Sequence, residues 1–226
     1  QSVDGFPALI SDPWLNARLT TLHACSDIWS SGASVSSGQV VITLPAVSEK
    51  LQQELLVQSL AGIQSALAPQ GAKLVGGHTM ESRSTSPFPY SLGIQLSLAV
   101  NGFVEPGRKP WGKGGLQSDD SLLISRGLGT GILFKAAMSG KYNSIHLDYA
   151  LKELSSSQHI LIDLLQLMER KSPEREFIHA CTDITGFGLL GHLNEMLSVS
   201  NIARSKLKLP PLRLRLFAES IPSFEG

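Results

Sequence analysis

The sequence predicts an α/β or α+β fold, and two observations support this prediction. Short β-branched segments alternate with segments whose apolar residues recur at helical spacing. Residues 105–121 contain four glycines and two prolines, which is typical of a linker. We therefore predict a first domain of residues 1–108 and a second of residues 109–226. The 226 residues, 42% of them hydrophobic, suffice for a sizeable core.

Strands and helices alternate in the first half of the chain. Asp12 is a suitable N-cap for the first helix, with Pro13 in its first turn. Ser48 can cap a second helix, which Pro69 and Gly71 would end. The predicted elements are a helix within residues 8–34, a strand at 38–45, a helix within 48–72, a strand at 72–79 that runs into glycines, a polar loop at 82–89 and a strand at 90–104.

The second half repeats a pattern of strand, glycine turn and helix. This pattern occurs within residues 122–140 and again within residues 173–197. A single helix is predicted at residues 146–169. Residues 202–216 are predicted to form strands, interrupted by two adjacent prolines.

Composition excludes several classes of protein. The 19 basic and 19 acidic residues balance, so neither nucleic acid nor an anionic membrane is an expected partner. No apolar run approaches the roughly 20 residues of a membrane-spanning helix. Cys25 and Cys181 do not make a disulfide framework, and we expect small core thiols in a reducing cytosol. The chain has no recognisable leader, and Gln1 is not a natural start, so we expect an excised segment.

Four small-residue clusters suggest a metal–nucleotide site. Three of them carry an aspartate: Asp4 in "QSVDGF", Asp27 in "CSDIWSSGA" and Asp183 in "CTDITGFG". The fourth is "LVGGHT", residues 74–79. Mg²⁺ prefers oxygen ligands and is commonly held by one or two carboxylates together with substrate phosphates. Glycines let backbone N–H groups approach phosphate oxygens, and the absence of GxxxxGK[ST] excludes a P-loop.

Each signal also has a structural interpretation. Asp27 could be a surface residue at a helix end, and Asp183 could cap a helix that starts near Gly186. Residues 74–79 could form a plain turn, and "GLGTG" at 127–131 could pack a helix against a strand. The remaining polar candidates, interpreted as structural or solvated, are His23, His78, His179, His192, Asp119, Asp120 and Lys135.

Taken together and in this order, the motifs "QSVDGF", "ACSDIWSSGA", "LVGGHT", "LGTGIL" and "ACTDITGFGLLGHLNEM" resemble the selenophosphate synthetase (selenide, water dikinase) family. That family belongs to the aminoimidazole-ribonucleotide-synthetase-like group. The resemblance implies an enzyme that converts ATP, selenide and water into selenophosphate, AMP and orthophosphate. It covers essentially the whole chain, and "TDITGFGLLGH" is its most specific part.

The resemblance also implies site residues and an assembly. Asp4, following the first core strand, and Asp27 would bind both metal and nucleotide, Asp183 would complete the Mg²⁺ ligands, and a loop of Gly76, Gly77 and His78 would contact ATP, partly from the dimer partner. Each domain would have a mixed sheet covered by helices. The N-terminal domains would pair into a dimeric β-barrel, for which residues 38–44 and 93–104 are candidate strands.

The sequence departs from the family at several points. The family's reactive Cys or selenocysteine and its nearby Lys are expected upstream of Gln1, and neither Cys25 nor Cys181 matches that position. We therefore expect no catalytic residue in this chain, and the isolated segment should not complete the reaction. A related enzyme (ribonucleotide cyclisation or thiamine phosphate kinase) and an inactive nucleotide-binding dimerisation module remain alternatives. A similar segment also occurs fused behind an oxidoreductase domain.

Overall fold

The structure, a computed structural model, describes residues 1–82, 93–172 and 176–225. The chain forms two compact units. Unit 1 contains residues 1–108 and 154–164, and unit 2 contains residues 109–153 and 165–226. Residues 154–164 therefore pack with unit 1, whereas the sequence interpretation assigned them to the second domain.

Unit 1 is built on a four-stranded mixed sheet. Its strands are β1 (Ser2–Pro7), β2 (Ser34–Leu44), β3 (Lys73–Glu81) and β4 (Gln95–Phe103). Their order is β1-β4-β2-β3, so β1 and β3 are the two edges. β4 pairs antiparallel with both β1 and β2, while β2 and β3 are parallel. The prediction of an α/β fold with a mixed sheet is confirmed for this unit.

Helices cover one face of that sheet. They are α1 (Pro13–Ala24), α2 (Ser26–Ser30) and α3 (Glu49–Leu67). The Asp12 carboxylate accepts a hydrogen bond from the Leu15 amide at 2.8 Å, so the predicted N-cap of α1 is confirmed. Ser48 precedes α3 but makes no side-chain capping bond, so that capping prediction is wrong. Gly71, with φ +72°, ends the turn after α3 as the sequence indicated.

The core of unit 1 lies between the sheet and these helices. Alternate residues of β2 and β4 point toward the helices, because side chains alternate along a strand. The most deeply buried members are Ile42, Leu96, Leu98 and Val100 from the strands and Ile63 and Leu67 from α3. Among the described residues of unit 1, no element covers the opposite face of the sheet, which exposes Val3, Val41, Met80 and Phe103.

Two close contacts fix α1 within unit 1. At Gly62 of α3, a side chain would collide with the Trp14 carbonyl oxygen of α1, so only glycine permits this approach. Arg18 of α1 donates from Nε to the Ser155 carbonyl oxygen at 2.9 Å and from a terminal nitrogen to the Ser65 carbonyl oxygen at 2.6 Å. Arg18 thereby ties residues 154–164 to the rest of unit 1.

Four further helices follow along the chain: α4 (Thr130–Met138), α5 (Ser144–Ser155), α6 (His159–Lys171) and α7 (Gly188–Lys206). The single helix predicted at 146–169 is therefore wrong, because residues 156–158 separate α5 from α6. Ser157 explains the break, since its hydroxyl accepts the His159 amide at 3.4 Å and competes with helix continuation. Among the residues that the structure describes, none of the helices combines the length and the apolar character of a bilayer crossing.

Unit 2 has a small core and little β-structure. Leu116, Leu193 and Met196 are buried together, with Leu189 and Leu212 packed against them. The strands predicted within 122–126, 176–182 and 202–216 do not form, and residues 202–206 belong to α7. The described part of unit 2 contains only the isolated bridge between Leu128 and Ser223. Apolar periodicity alone does not supply the neighbouring strand that each would need. The predicted polar loop at 82–89 lies, after Ser82, outside the described residues.

Candidate active site of unit 1 and the Asp183 segment of unit 2

Asp4 lies inside β1, so the prediction that it follows the strand is wrong. Its Oδ1 accepts the Gly5 amide at 2.7 Å, and its Oδ2 lies 2.9 Å from Nε2 of His23 on α1. Both side chains are about one-third exposed, at 33% and 31%. A side chain at Gly5 would collide with the backbone of β4, so this glycine is required by strand pairing. Asp4 is thus held at the sheet edge with its carboxylate partly open to solvent.

Asp27 lies close to the same edge. It is the second residue of α2 and is exposed, and its Oδ2 accepts the Ser2 hydroxyl at 2.6 Å. Ser2 and Asp4 are two residues apart on β1 and therefore lie on the same face of the strand. His23, at the end of α1, and Asp27, in α2, are four residues apart. These four residues form what we call the Asp4/Asp27 cluster. Two separate side-chain contacts, Ser2–Asp27 and Asp4–His23, therefore link β1 to the helices that carry His23 and Asp27.

The Asp4/Asp27 cluster has the chemistry of a hard-cation site. Carboxylate oxygens are the ligands that Mg²⁺ prefers, and Mg²⁺ usually keeps water and phosphate ligands as well. Two carboxylates therefore suit an ion that takes its remaining oxygens from a polyphosphate and from water. Among the described residues no group of three or more His, Cys, Asp or Glu side chains is arranged to hold a metal by itself. The cluster fits a metal delivered with a nucleotide better than a closed protein cage.

Residues 76–78 form part of the β3 edge strand, so the expected turn or loop conformation there is wrong, while their contact with a nucleotide stays a prediction. Asp4 pairs with Leu98, Leu98 with Val40, and Val40 with Gly77, in one row across the sheet. Three strand spacings separate Gly77 from Asp4, or about 14 Å. A side chain at Gly77 would collide with the Val40 carbonyl oxygen, whereas Gly76 has open space. Within one copy of unit 1, β3 therefore lies at the edge opposite the cluster.

Asp183 belongs to unit 2 and lies in an irregular segment before α7. That helix begins at Gly188 and has no side-chain cap, so the capping interpretation of Asp183 is wrong. The Cys181 amide donates to the Gly112 carbonyl oxygen at 2.9 Å, and the Thr185 amide donates to Nε2 of His192 at 3.1 Å. Asp183 thus lies between two fixed points of the backbone.

Sequence reasoning missed a second pair in unit 2. Nδ1 of His179 lies 2.7 Å from Oδ1 of Asp120, and both side chains are mostly buried, at 24% and 22% exposed. Asp120 Oδ2 also accepts the Gln117 amide at 2.8 Å. Asp120 is exposed as a whole residue, as the sequence indicated, although its carboxylate is held by these two contacts, and Asp119, with φ +68°, occupies a turn. No spacing signal could reveal the pair, because the two residues are 59 positions apart.

The remaining alternatives have structural outcomes. Lys135 is exposed on α4, as the sequence indicated. Gly129, with φ +110°, is the N-cap residue of α4. Gly127 lies against the backbone of residues 223–224, and the Leu128 amide donates to the Pro222 carbonyl oxygen at 2.9 Å. "GLGTG" is therefore a packing and helix-start motif, but it packs against an irregular segment and not against a strand.

Both cysteines are free buried or half-buried thiols. Burial raises the pKa of Cys25 from its ordinary value of 9.0 to about 12, with a smaller opposing effect of the hydrogen bond from Gln70. Burial, with a smaller contribution from the charge of Asp183, raises the pKa of Cys181 to about 11. At neutral pH both groups are protonated, and a protonated thiol is a poor nucleophile. This agrees with the prediction that neither is the reactive residue.

Comparison with known families identifies the group to which this fold belongs. Residues 1–104 match the AIR synthase related protein, N-terminal domain, and residues 118–220 match the AIR synthase related protein, C-terminal domain. Together the two matches cover most of the chain in the expected order. The chain therefore belongs to the AIR synthase related protein family.

Individual proteins and solved structures within this family show which members the chain is similar to. The "Selenide, water dikinase" of Pelobacter propionicus is 31% identical over 196 residues, which cover 87% of this chain and 51% of that protein. The crystal structure of thiamine-monophosphate kinase from Stenotrophomonas maltophilia has a TM-score of 0.68 at 19% identity, covering 88% of this chain and 60% of that one. The hydrogenase maturation protein HypE in complex with ATP has a TM-score of 0.63 at 18% identity, covering 94% and 65%.

These comparisons confirm the predicted kinship with the selenide, water dikinases, and the two solved structures confirm the fold. The chain spans about half the length of the curated relatives that it matches.

Proposed function

We propose that the protein to which this chain belongs converts ATP, selenide and water into selenophosphate, AMP and orthophosphate. The observation that carries the proposal is the Asp4/Asp27 cluster, in which Asp4 on β1 and Asp27 on α2 lie near one sheet edge, each fixed by a side-chain contact between β1 and a helix. The curated relatives that align along the chain are named for this reaction. The HypE structure that shares the fold was obtained with ATP, which supports nucleotide binding.

The chemistry of ATP cleavage explains why carboxylates belong in such a site. Phosphoryl transfer needs charge neutralisation and positioning more than covalent chemistry by the protein. Carboxylates alone would repel a triphosphate, so they favour it only through cations that bridge both. We propose that Asp4 and Asp27 hold Mg²⁺ that neutralises phosphate oxygens, and that Asp183 supplies a further carboxylate. Ser2 and His23 orient the two carboxylates of the Asp4/Asp27 cluster.

Dimerisation is part of the proposal. The face of the sheet that no described element of unit 1 covers exposes Val3, Val41 and Phe103, at 75%, 41% and 58%. An apolar sheet face of this kind is suited to a second sheet. Since β3 lies about 14 Å from Asp4 across the sheet, we propose that Gly76, Gly77 and His78 approach the nucleotide bound by the partner subunit.

The two cysteines bear on the cellular compartment of the protein and on the identity of its reactive residue. Both thiols are unpaired in the structure, in agreement with a reducing cytosol. Their raised pKa values argue against either thiol as the reactive nucleophile. Isolated residues 1–226 are then expected to bind nucleotide without completing the reaction.

Nucleotide binding tests the site directly. We expect Asp4→Asn and Asp27→Asn each to weaken Mg²⁺-dependent ATP binding by about 10-fold or more, measured by isothermal titration calorimetry. Glu54→Gln is the matched control, because Glu54 is an exposed carboxylate on α3 that bonds only Gln58 among the described residues. Wild-type affinity in both aspartate variants would reject the proposed site.

Product analysis tests the reaction. Phosphorus NMR of the intact protein with ATP, Mg²⁺ and selenide should show selenophosphate, AMP and orthophosphate. Formation of ADP with a ribonucleotide or thiamine phosphate would instead identify a related enzyme of the same group. ATP binding without turnover on any of these substrates would identify a nucleotide-binding module.

A further inference from the structure

The segment that carries Asp183 is hydrogen-bonded through Thr185 to a buried histidine, His192. His192 on α7 is only 6% exposed. The Thr185 backbone amide donates to its Nε2 at 3.1 Å, and the Thr185 hydroxyl lies 3.3 Å from the same nitrogen. A backbone amide only donates, so Nε2 must be the unprotonated nitrogen of a neutral ring. The ring proton then lies on Nδ1.

That proton has no acceptor in the part of the chain that the structure describes. Nδ1 of His192 is buried without a hydrogen-bond partner there. A buried polar group without a partner is destabilising, so an apolar side chain would suit this position better if only packing mattered. Local violations of this kind are expected where a residue serves a site. The useful property of His192 is therefore the acceptor at Nε2, which fixes the backbone at Thr185.

A second contact holds the other end of the segment. His179 is fixed by Asp120 at 2.7 Å, and Asp120 is itself fixed by the Gln117 amide. Asp183 follows His179 by four residues and precedes Thr185 by two. The segment has no helical or strand hydrogen bonds of its own between these points. Its conformation at Asp183 consequently depends on the backbone bond from Cys181 to Gly112 and on side-chain contacts at both ends.

We propose that His192 and the Asp120–His179 pair are positioning residues for Asp183. They hold residues 179–185 in the conformation in which the Asp183 carboxylate meets the metal-bound nucleotide. This inference rests on the proposed function, since it assigns to Asp183 the role described there. Neither histidine touches the nucleotide in this proposal, and each acts only through the backbone that carries Asp183.

A matched pair of variants at His192 provides the test. Gln can place an amide oxygen near the position of Nε2 and accept the Thr185 amide, whereas Leu cannot. We expect His192→Leu to raise the Mg²⁺ concentration for half-maximal ATP binding about 10-fold, and His192→Gln to stay within about 2-fold of wild type. Hydrogen exchange measured by mass spectrometry should show faster exchange of the Thr185 amide in His192→Leu only.

The His179 anchor keeps the test decisive if His192→Leu does not fold. His179 is partly exposed, so its replacement is tolerated more easily. Asn can donate from the position of Nδ1 to Asp120, whereas Ala cannot. We expect His179→Ala to raise the Mg²⁺ requirement and His179→Asn to restore it, with circular dichroism verifying the fold of each variant.

Asp183→Asn separates failure of this inference from failure of the proposed function. If Asp183→Asn binds Mg²⁺–ATP normally, the role of Asp183 is wrong and the proposed function loses one ligand. If Asp183→Asn weakens binding but folded His192→Leu and His179→Ala bind as wild type, the positioning proposal is overturned and the function stands. Weakened binding in all three, restored by the Gln and Asn variants, supports both.

Discussion

The two units present their aspartates in different ways. In unit 1, Asp4 and Asp27 lie on a strand and a helix whose backbones are fixed by sheet pairing and by a deep core. In unit 2, Asp183 lies on irregular chain beside a three-residue core, and separate side chains hold the segment. The first arrangement positions a carboxylate through regular structure, and the second does so through individual hydrogen bonds. Substitutions far from the carboxylates should therefore change the stability of the two units to different extents.

The largest expected difference concerns the two cores. Leu98 of β4 is 0% exposed beneath α1, whereas Leu193 of α7 is 7% exposed in a small cluster. We expect Leu98→Ala to lower the free energy of unfolding by about 4–5 kcal/mol and Leu193→Ala by about 2–3 kcal/mol, from lost contacts and cavity formation. Urea denaturation measures both. Equal losses would contradict the difference in packing between the units.

A pair of neighbouring glycines tests how closely the sheet of unit 1 is packed. A methyl group at Gly77 would collide with the Val40 carbonyl oxygen, while Gly76 has no atom nearer than Gln39 Nε2 at 4.0 Å. We expect Gly77→Ala to destabilise by about 1–3 kcal/mol and Gly76→Ala to change stability by less than about 0.5 kcal/mol. Thermal unfolding of the two variants decides this, and similar melting temperatures would show that β3 yields at its edge.

The smallest expected difference between the units is in how Cys25 and Cys181 make the free energy of unfolding depend on pH. In each unit the folded pKa of the cysteine lies above its ordinary value of 9.0, at about 12 for Cys25 and about 11 for Cys181. Their stabilising effect is complete below pH 9 and is lost as the pH rises toward the folded pKa, because the unfolded chain ionises first. Each thiol should contribute a loss of up to about 1.4 kcal/mol per pH unit in that window.

Single substitutions resolve the two contributions. Cys181→Ala should remove the part that ends near pH 11, and Cys25→Ala the part that continues to about pH 12. Denaturation curves between pH 8 and about pH 11 provide the measurement. An unchanged slope in both variants would mean that these thiols ionise in the folded protein as they do in the unfolded chain.

Much of unit 1 was accessible from sequence. The helices and strands were found from apolar periodicity, and Asp12 and Gly71 marked ends correctly because capping and left-handed turns are local properties. In unit 2 the helices α4 and α7 were found, but the single helix predicted at 146–169 is two helices, and the predicted strands were wrong. A strand exists only with a partner, and an apolar run such as residues 122–126 does not show whether one is present.

The candidate site residues also differ in whether local sequence patterns could indicate them. Asp4 and Asp27 were identified from their small-residue surroundings, and in the structure Asp4 contacts His23 and Asp27 contacts Ser2, while their metal and nucleotide roles stay predictions. Ser2 and His23 were missed as site residues, although the two-residue spacing on β1 and the four-residue spacing before Asp27 could have indicated them. Asp120 and His179 could not have been paired from sequence, because the contact depends on how residues 121–178 fold between them.

The return of residues 154–164 to unit 1 has a consequence for biosynthesis. Arg18 bonds the Ser155 carbonyl oxygen, so part of unit 1 lies in the sequence after the whole first segment of unit 2, residues 109–153. During synthesis, residues up to 164 must emerge from the ribosome before unit 1 can complete its packing. Cleavage of the chain at residue 108 would likewise yield an N-terminal piece without these contacts, which would have to be supplied again in trans.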